Sequence, residues 1–403
     1  MNAIPLSRPR RFASWMSMAL IVWIGALLGG CQAPPAAPSS SNDAVPLDQA
    51  VAFTTDSLAA QLNAMSGLLA KMEAKRPVLM DPSLDAATGQ QTNLTRLLDQ
   101  KVNERLRAQP LFEVLPFQQG SLARAQYLVV ATIARVAVGK GAYQLHVSLT
   151  DLKTGVVVAQ SSARARDDGF DTTPTTYYRD SPVLLIKDKV VEGYIRTAQT
   201  APGQRANNDY MDRVSAAAII NEATDLYNAE RYKEALGLYR SVADTPAGEQ
   251  MRTLNGIYLA SWKLGRMQEA EQAFGKVVAL GVASNSLGVK FLFNPGTTDF
   301  WSDPKVSGPY ALWMRQIARQ TAQAKVCMQV VGHTSRTGGE AFNDKLSAQR
   351  AVAIRQKLAT EAAELAGRTK TSGVGSRENI IGTGTDDVSD SLDRRVEFKI
   401  IGC

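Results

Sequence analysis

Apolar residues recur along this chain with three different periods, and each period predicts a different kind of element. From Ser57 to Met72 (SLAAQLNAMSGLLAKM) leucine and methionine stand at helical spacing, and RPVLMDP follows as a short strand ended by Asp81-Pro82. A second helix is expected through TNLTRLLDQKVNERLRAQ, with Leu94, Leu97, Leu98, Val102 and Leu106 on one face. FEVLPF supplies the next strand. The period then falls to two: YLVVATIARVAV, a Gly139-Lys140-Gly141 turn, YQLHVSLTDL, a Lys153-Thr154-Gly155 turn and VVVAQSSARA read as a meander. In its middle strand Tyr143, Leu145, Val147 and Leu149 alternate with Gln144, His146, Ser148 and Thr150. One face is therefore expected to be buried and the other wet, with His146 pointing into solvent.

Helical spacing returns between residues 215 and 281, now as a repeat. NEATDLYNAERYKEALGLYRSVADTP and LNGIYLASWKLGRMQEAEQAFGKVVAL align at a period of 35, which matches Tyr232 with Met267, Ala235 with Ala270 and Tyr239 with Phe274. Small and aromatic residues recur where paired helices need close approach and filler. The segment resembles a tetratricopeptide pair, close to that repeat's period of about 34 residues. Two repeats are too few for a solenoid, so their ends need a neighbouring domain or a partner. A helical spacer and a protein-docking groove both remain open, and Arg231, Arg240 and Lys263 are given no role.

The last stretch alternates strand and helix. VKFLF reads as a strand, YALWMRQIARQTAQA as a helix, KVCMQVVGH as a strand, and LSAQRAVAIRQKLATEAAEL as a long helix; NIIGTG and RRVEFKII supply two more strands. The order is β-α-β-α-β-β with right-handed crossovers first. Fold class is accordingly α+β and multidomain: a mixed αβ module over residues 51–200, all-α repeats over 210–282 and a last domain over 285–403.

Composition changes this picture mainly at the front end. Arg8, Arg10 and Arg11 precede an uninterrupted apolar run from Met16 to Leu28, too short to span a bilayer comfortably, so residues 1–30 read as an export signal. Leu28-Gly29-Gly30-Cys31 resembles the lipobox of bacterial lipoproteins. That resemblance implies acylation of Cys31, and Gln32 after it implies the outer membrane. Residues 31–50, rich in proline, serine and alanine, are expected to be a flexible tether. The formal charge of +7 falls to +4 without the signal, too mild a balance to argue for nucleic acid. Cys327 and Cys403 remain in the last domain, and whether they pair is left open.

Two resemblances assign expected functions. The meander with its D-x-K-T-G turn at Asp151 to Gly155 resembles the amino-terminal unit of envelope lipoproteins such as FlgO, the curli channel subunit and LpoB. The motif G-H-T-x-x-x-G-x-x-x-x-N-x-x-L-S-x-x-R-A over Gly332 to Ala351, with Arg394-Arg395-Val396 near the end, resembles the OmpA-like peptidoglycan-associating domain, also found in Pal and in flagellar stator proteins. In that family an acid directly after G-H-T takes the ammonium of diaminopimelate, and the arginine of L-S-x-x-R takes its carboxylate. The resemblance implies Arg350 for the carboxylate, with Thr334, Asn343 and Arg394 around it. Ser335 stands where the acid belongs, and Asp393 replaces the usual asparagine before Arg-Arg-Val. Three readings stay open. Asp393, Asp344 or Glu340 supplies the anion; the site takes the wall peptide weakly, helped by confinement near the wall; or the domain binds a protein.

No glycine-rich phosphate loop, paired cysteines or nucleophile elbow occurs, and His333 has no second histidine near it in the sequence. The expectation is a non-enzymatic lipoprotein with no cofactor and no metal. Its expected partners are the peptidoglycan stem peptide, the outer membrane and an unidentified periplasmic protein. The competing class is an accessory of a secretion or flagellar assembly, or a wall-synthesis activator.

Overall fold

The first sheet has six strands, in a computed structural model that describes residues 43–65, 75–136, 141–183, 187–285, 287–380, 384 and 390–403 of the chain. Its elements are β1 (Ala44–Val45), α1 (Leu47–Met65), β2 (Arg76–Asp85), α2 (Asn93–Ala108), β3 (Phe112–Val114), the single turn α3 (Gln119–Leu122), β4 (Tyr127–Arg135), β5 (Ala142–Asp151) and β6 (Val156–Arg166). The order is β1-β6-β5-β4-β2-β3; β4, β5 and β6 form the antiparallel meander, while β2 runs parallel to both β3 and β4. The expected signal, Cys31, and residues 66–72 of the expected first helix lie outside the described residues. Regular structure is present inside the stretch expected to be a tether, because β1 pairs with β6 and Leu47 opens a helix ten residues before Ser57.

Local chemistry explains the departures from the pattern. The helix α1 hides polar residues: Thr54 is buried and its hydroxyl donates to the Ala50 carbonyl at 2.9 Å. The strand β2 does not stop at Asp81-Pro82 but continues past a register shift between Asp81 and Leu84, as a proline can be tolerated at a bulge. The Tyr194 hydroxyl lies 3.0 Å from the Pro82 carbonyl and 2.9 Å from that of Ala131, filling the gap. In α2, Thr92 and Thr95 exchange side-chain and backbone hydrogen bonds as a capping box, which satisfies otherwise orphaned donors. Leu94, Leu98, Val102 and Leu106 are buried as expected, whereas Leu97 is exposed.

Both faces of this sheet are covered. Helices α1 and α2 bury Leu58, Leu98 and Val102 against Val129, Ile133 and Val147. On the other face Leu79, Leu128 and Val130 meet Val190, Val191 and Tyr194 of α5 (Lys189–Gln199), which follows the short α4 (Thr176–Asp180). The second face of β5 is therefore not wet. Ser148 and Thr150 are fully buried, and burial lowers the pKa of His146.

After α6 (Asn208–Met211) come two helical hairpins, α7 (Val214–Asn228) with α8 (Tyr232–Ala243) and α9 (Met251–Lys263) with α10 (Met267–Ala283). Ala235, Ala270, Tyr239 and Phe274 are all fully buried. A Cβ at Gly256 would lie 2.4 Å from the Tyr239 ring, so α8 and α9 approach closely only because that position is glycine. Both ends of the helical segment are covered by the chain itself. Asn221 on α7 donates to Asp81 in the first sheet at 3.0 Å, and Trp313 donates to the Tyr258 hydroxyl at 2.7 Å.

The carboxy-terminal elements are β7 (Leu287–Val289), α11 (Pro304–Ser307), α12 (Tyr310–Gln323), β8 (Cys327–Gly332), α13 (Glu340–Glu361), α14 (Leu365–Arg368), β9 (Thr369–Gly373) and β10 (Val396–Ile401). Sheet order is β7-β10-β8-β9, with β10 antiparallel to β7 and β8 and with β9 parallel to β8. The expected β-α-β-α-β-β succession is present, with two displaced strands. The first is Leu287–Val289 and leaves Phe291 to Phe293 outside it; the third is the polar segment Thr369–Gly373, not NIIGTG, whose residues 381–383 lie outside the described ones. Cys327 and Cys403 form a disulfide with Cα atoms 5.1 Å apart, joining the start of β8 to the chain end.

Candidate functional site

The motif read from the sequence is, first of all, a helix seated on two glycines. A Cβ at Gly332 would stand 2.0 Å from the Ser347 carbonyl oxygen, and one at Gly373 would stand 2.2 Å from the Ala348 amide nitrogen. Only glycine lets α13 lie this close to the ends of β8 and β9. The Ser347 hydroxyl then donates to the Asp344 carbonyl at 2.9 Å and accepts from the Gly375 amide at 3.0 Å, which ties the helix to the turn after β9. Arg350 lies one helical turn further on and is carried beneath the segment that holds His333, Thr334 and Ser335.

Arg350 is fully buried, and its guanidinium is held on several sides at once. Nε donates to the Thr297 carbonyl at 3.0 Å, Nη2 to that of Asn294 at 3.1 Å and Nη1 to that of His333 at 3.3 Å. The ring of Phe293 lies 4.9 Å from the guanidinium carbon. A planar fork gripped this way has its orientation set before any ligand arrives.

The residues that do the gripping were not singled out in the sequence. Phe293, Asn294 and Thr297 belong to FLFNPGTTDFW, which folds back so that Phe293 pairs with Phe300. Gly296 adopts φ +68°, a backbone that glycine permits. Trp301 in the same loop lies 5.6 Å from the guanidinium carbon of Arg394. An Asn-Pro-Gly turn set among four aromatic residues was the available signal.

The other expected site residues divide into neighbours of this pocket and supports for it. Ser335 and Thr334 are buried; the Thr334 amide donates to the Gly375 carbonyl at 2.9 Å, and its hydroxyl oxygen has no hydrogen-bond partner among the described residues. Asn343 is buried and donates to the Thr337 carbonyl at 3.2 Å, shaping the turn before α13. Arg395 is a support, since its Nε meets Glu397 at 2.8 Å and its Nη2 meets the Glu378 carbonyl at 3.1 Å.

The three acids considered for the anion differ. Asp393 is fully buried and accepts from the Ile380 amide at 2.6 Å and from the Asn379 side chain at 3.1 Å, so it holds the backbone that follows β9. Asp344 pairs with Arg377 at 2.6 Å. Glu340 lies 3.6 Å from the same arginine, with four-fifths of its side chain exposed.

Residues 292–391 match the OmpA family, and that segment contains Ser335, Asn343 and Arg350. Among solved structures, the C-terminal domain of Helicobacter pylori MotB is 21% identical with a TM-score of 0.23, covering 28% of this chain and 84% of that one. The peptidoglycan-associated lipoprotein from Burkholderia pseudomallei is 18% identical at a TM-score of 0.23, covering 28% and 89%. The cell wall anchor of the T6SS from Pseudomonas aeruginosa is 22% identical at a TM-score of 0.23, covering 28% and 79%. No curated protein matches the chain.

Proposed function

We propose that, with its OmpA-like carboxy-terminal domain as the premise, the protein is a non-enzymatic lipoprotein. In this reading acylated Cys31 holds it on the periplasmic face of the outer membrane while the terminal domain grips the stem peptide of peptidoglycan. The observation that carries the reading is the mounting of Arg350. Its fork is oriented by three backbone carbonyls and a ring, a geometry suited to bidentate recognition of a carboxylate. The buried Thr334 hydroxyl has no hydrogen-bond partner among the described residues, which suits a further hydrogen bond to the ligand.

Ser335 makes a weaker acceptor for an ammonium than a carboxylate would. Exchanging an ionic contact for a neutral one forfeits about 1.5 to 3 kcal/mol, roughly tenfold to over a hundredfold in affinity. Glu340, exposed and only loosely paired, is the acid best able to turn toward the ligand's ammonium. Lipid anchoring near the wall would offset a modest affinity by raising the local concentration.

The test is co-sedimentation of the chain with isolated peptidoglycan, comparing wild type, Ser335→Asp, Arg350→Lys and Glu340→Gln. The full chain is used because the terminal domain shares its core with the helical segment. Binding that Ser335→Asp strengthens and Arg350→Lys removes is expected. Unchanged binding in Arg350→Lys overturns the reading.

A second reading, an accessory of an envelope assembly that binds a protein, draws on a cleft of about 710 Å³ between α2 and α7. Its polar lining includes Gln100, Asn103, Glu104, Arg107, Glu222 and Arg231. A photo-crosslinker at Gln100 that captures one dominant protein in cells would favour this reading over the wall.

A further inference from the structure

Behind the Arg350 pocket, three side chains from distant parts of the chain converge. His333 directly follows β8, Glu378 lies in the turn after β9, and Glu397 is on β10. One ligand atom from each lies within 4.8 Å of the other two. His333 is fully buried, and neither Nδ1 nor Nε2 makes a hydrogen bond among the described residues. Its Nε2 faces Glu397 Oε2 at 3.7 Å, beyond hydrogen-bonding range. A buried polar group without a partner is destabilising by about 1 to 3 kcal/mol, so an imidazole with two unused nitrogens calls for an explanation.

We propose that His333, Glu378 and Glu397 bind a divalent transition-metal ion of the zinc class, with water completing the coordination. One imidazole nitrogen and two carboxylate oxygens with an open fourth position suit zinc, whereas calcium and magnesium prefer shells made only of oxygen. Bonds of about 2.0 to 2.2 Å in a tetrahedron put ligand atoms roughly 3.4 Å apart, so the widest separation must contract by up to about 1.4 Å. Glu378 is exposed and can supply that movement.

The surroundings both support and limit the site. Arg395 occupies Glu397 Oε1 at 2.8 Å, which leaves Oε2 turned toward His333. It also holds the Glu378 carbonyl at 3.1 Å, so a single side chain orients both acidic ligands. Its charge, with that of Lys399, opposes a dication and lowers the affinity. Burial, and after it the Arg395 charge, push the His333 pKa down to about 3 against the pull of Glu397. The imidazole is therefore neutral at neutral pH, the form in which a histidine ligates.

An ion here would act on the pocket already described. The His333 carbonyl is one of the three that hold Arg350, and Thr334 bonds to Gly375 in the turn that carries Glu378. Bridging His333 to Glu378 would clamp together the two segments that frame the pocket.

The test uses the full chain, purified without an affinity tag in detergent, stripped with a chelator and titrated calorimetrically with zinc chloride. The chain has two histidines, so His146→Gln is a clean control that should bind as wild type. Expected are one zinc per chain and a rise in melting temperature on binding. Glu378→Ala, at an exposed position, should fold normally and bind more weakly by at least the roughly 10- to 100-fold that even outer-shell partners contribute. His333→Gln should abolish binding; if it fails to fold, Glu397→Gln takes its place in the comparison. No saturable binding by wild type, or binding that Glu378→Ala leaves intact, overturns the proposal. Neither result bears on peptidoglycan sedimentation, which is measured with the chelator present.

Discussion

Arg252 and Arg350 are both buried arginines, and the groups described around them differ. Arg252 lies at the seam between the first sheet and the helical segment, where burial opposes its charge but Tyr178, Asp81 and Asp188 hold its pKa above the usual value. Those acids are themselves engaged. Asp81 accepts from Tyr210 at 2.7 Å and from Asn221 at 3.0 Å, while Asp188 caps α5 and also accepts from the Met251 amide at the start of α9. The contacts of Arg350 include three backbone carbonyls and an aromatic ring. The first arrangement places opposite charges around the cation and makes it part of the framework. The second includes a backbone carbonyl on each of the three guanidinium nitrogens, which sets the direction of the fork as a binding site needs.

The largest expected effect breaks the seam. Arg252→Met leaves Asp81 and Asp188 without their buried cation and should destabilise the chain by about 3 to 5 kcal/mol in urea unfolding. A loss of under 1 kcal/mol would mean that the neutral hydrogen bonds alone carry the seam. At the other arginine, Arg350→Lys keeps the charge but loses the fork. It should weaken wall binding by about 1.5 to 3 kcal/mol, read as a loss of co-sedimentation, with a smaller change in unfolding midpoint than Arg252→Met.

Gly332→Ala sharpens the contrast through packing. Its Cβ would meet the Ser347 carbonyl at 2.0 Å, so α13 must shift and take Arg350 with it. Destabilisation of about 1 to 3 kcal/mol is expected, accompanied by loss of wall binding. A pH-dependent effect is expected at Asp99, whose carboxyl burial pushes up to about 7 from 3.8. Between those pH values the folded chain holds a proton that the unfolded chain has released, so stability falls as pH rises through the window. Asp99→Asn should therefore raise the melting temperature at pH 8 and leave it nearly unchanged near pH 4. Equal shifts at both would show that the charge of Asp99 is not what matters.

Legibility followed physical cause from element to element. The helix α2 could be read because its buried leucines stand at one period and its start carries a threonine cap. The start of α1 could not, because Thr54 and Thr55 are buried there and polar residues break the visible stripe. The strand β9 is TKTSG, a polar edge strand of which only Thr369 is buried, so no alternation marks it. The wet face expected for β5 vanished because α5, more than thirty residues further on, lies across it. In the pocket, Gly332, Ser347 and Arg350 form a spaced motif because helix contact demands small residues at set intervals. The carbonyls of Asn294 and Thr297 left no such trace, since any residue supplies a carbonyl and only the path of the loop aims it.

Short-range regularity therefore carried the α+β class, the paired helices and the spacing from Gly332 to Arg350, because each depends on which residue types recur at fixed intervals. Folding in three dimensions alone decided what holds Arg350, which acid already has a partner, and that His333 meets Glu378 and Glu397. Such convergence depends on where the backbone brings distant segments together, and local periodicity holds no information about that.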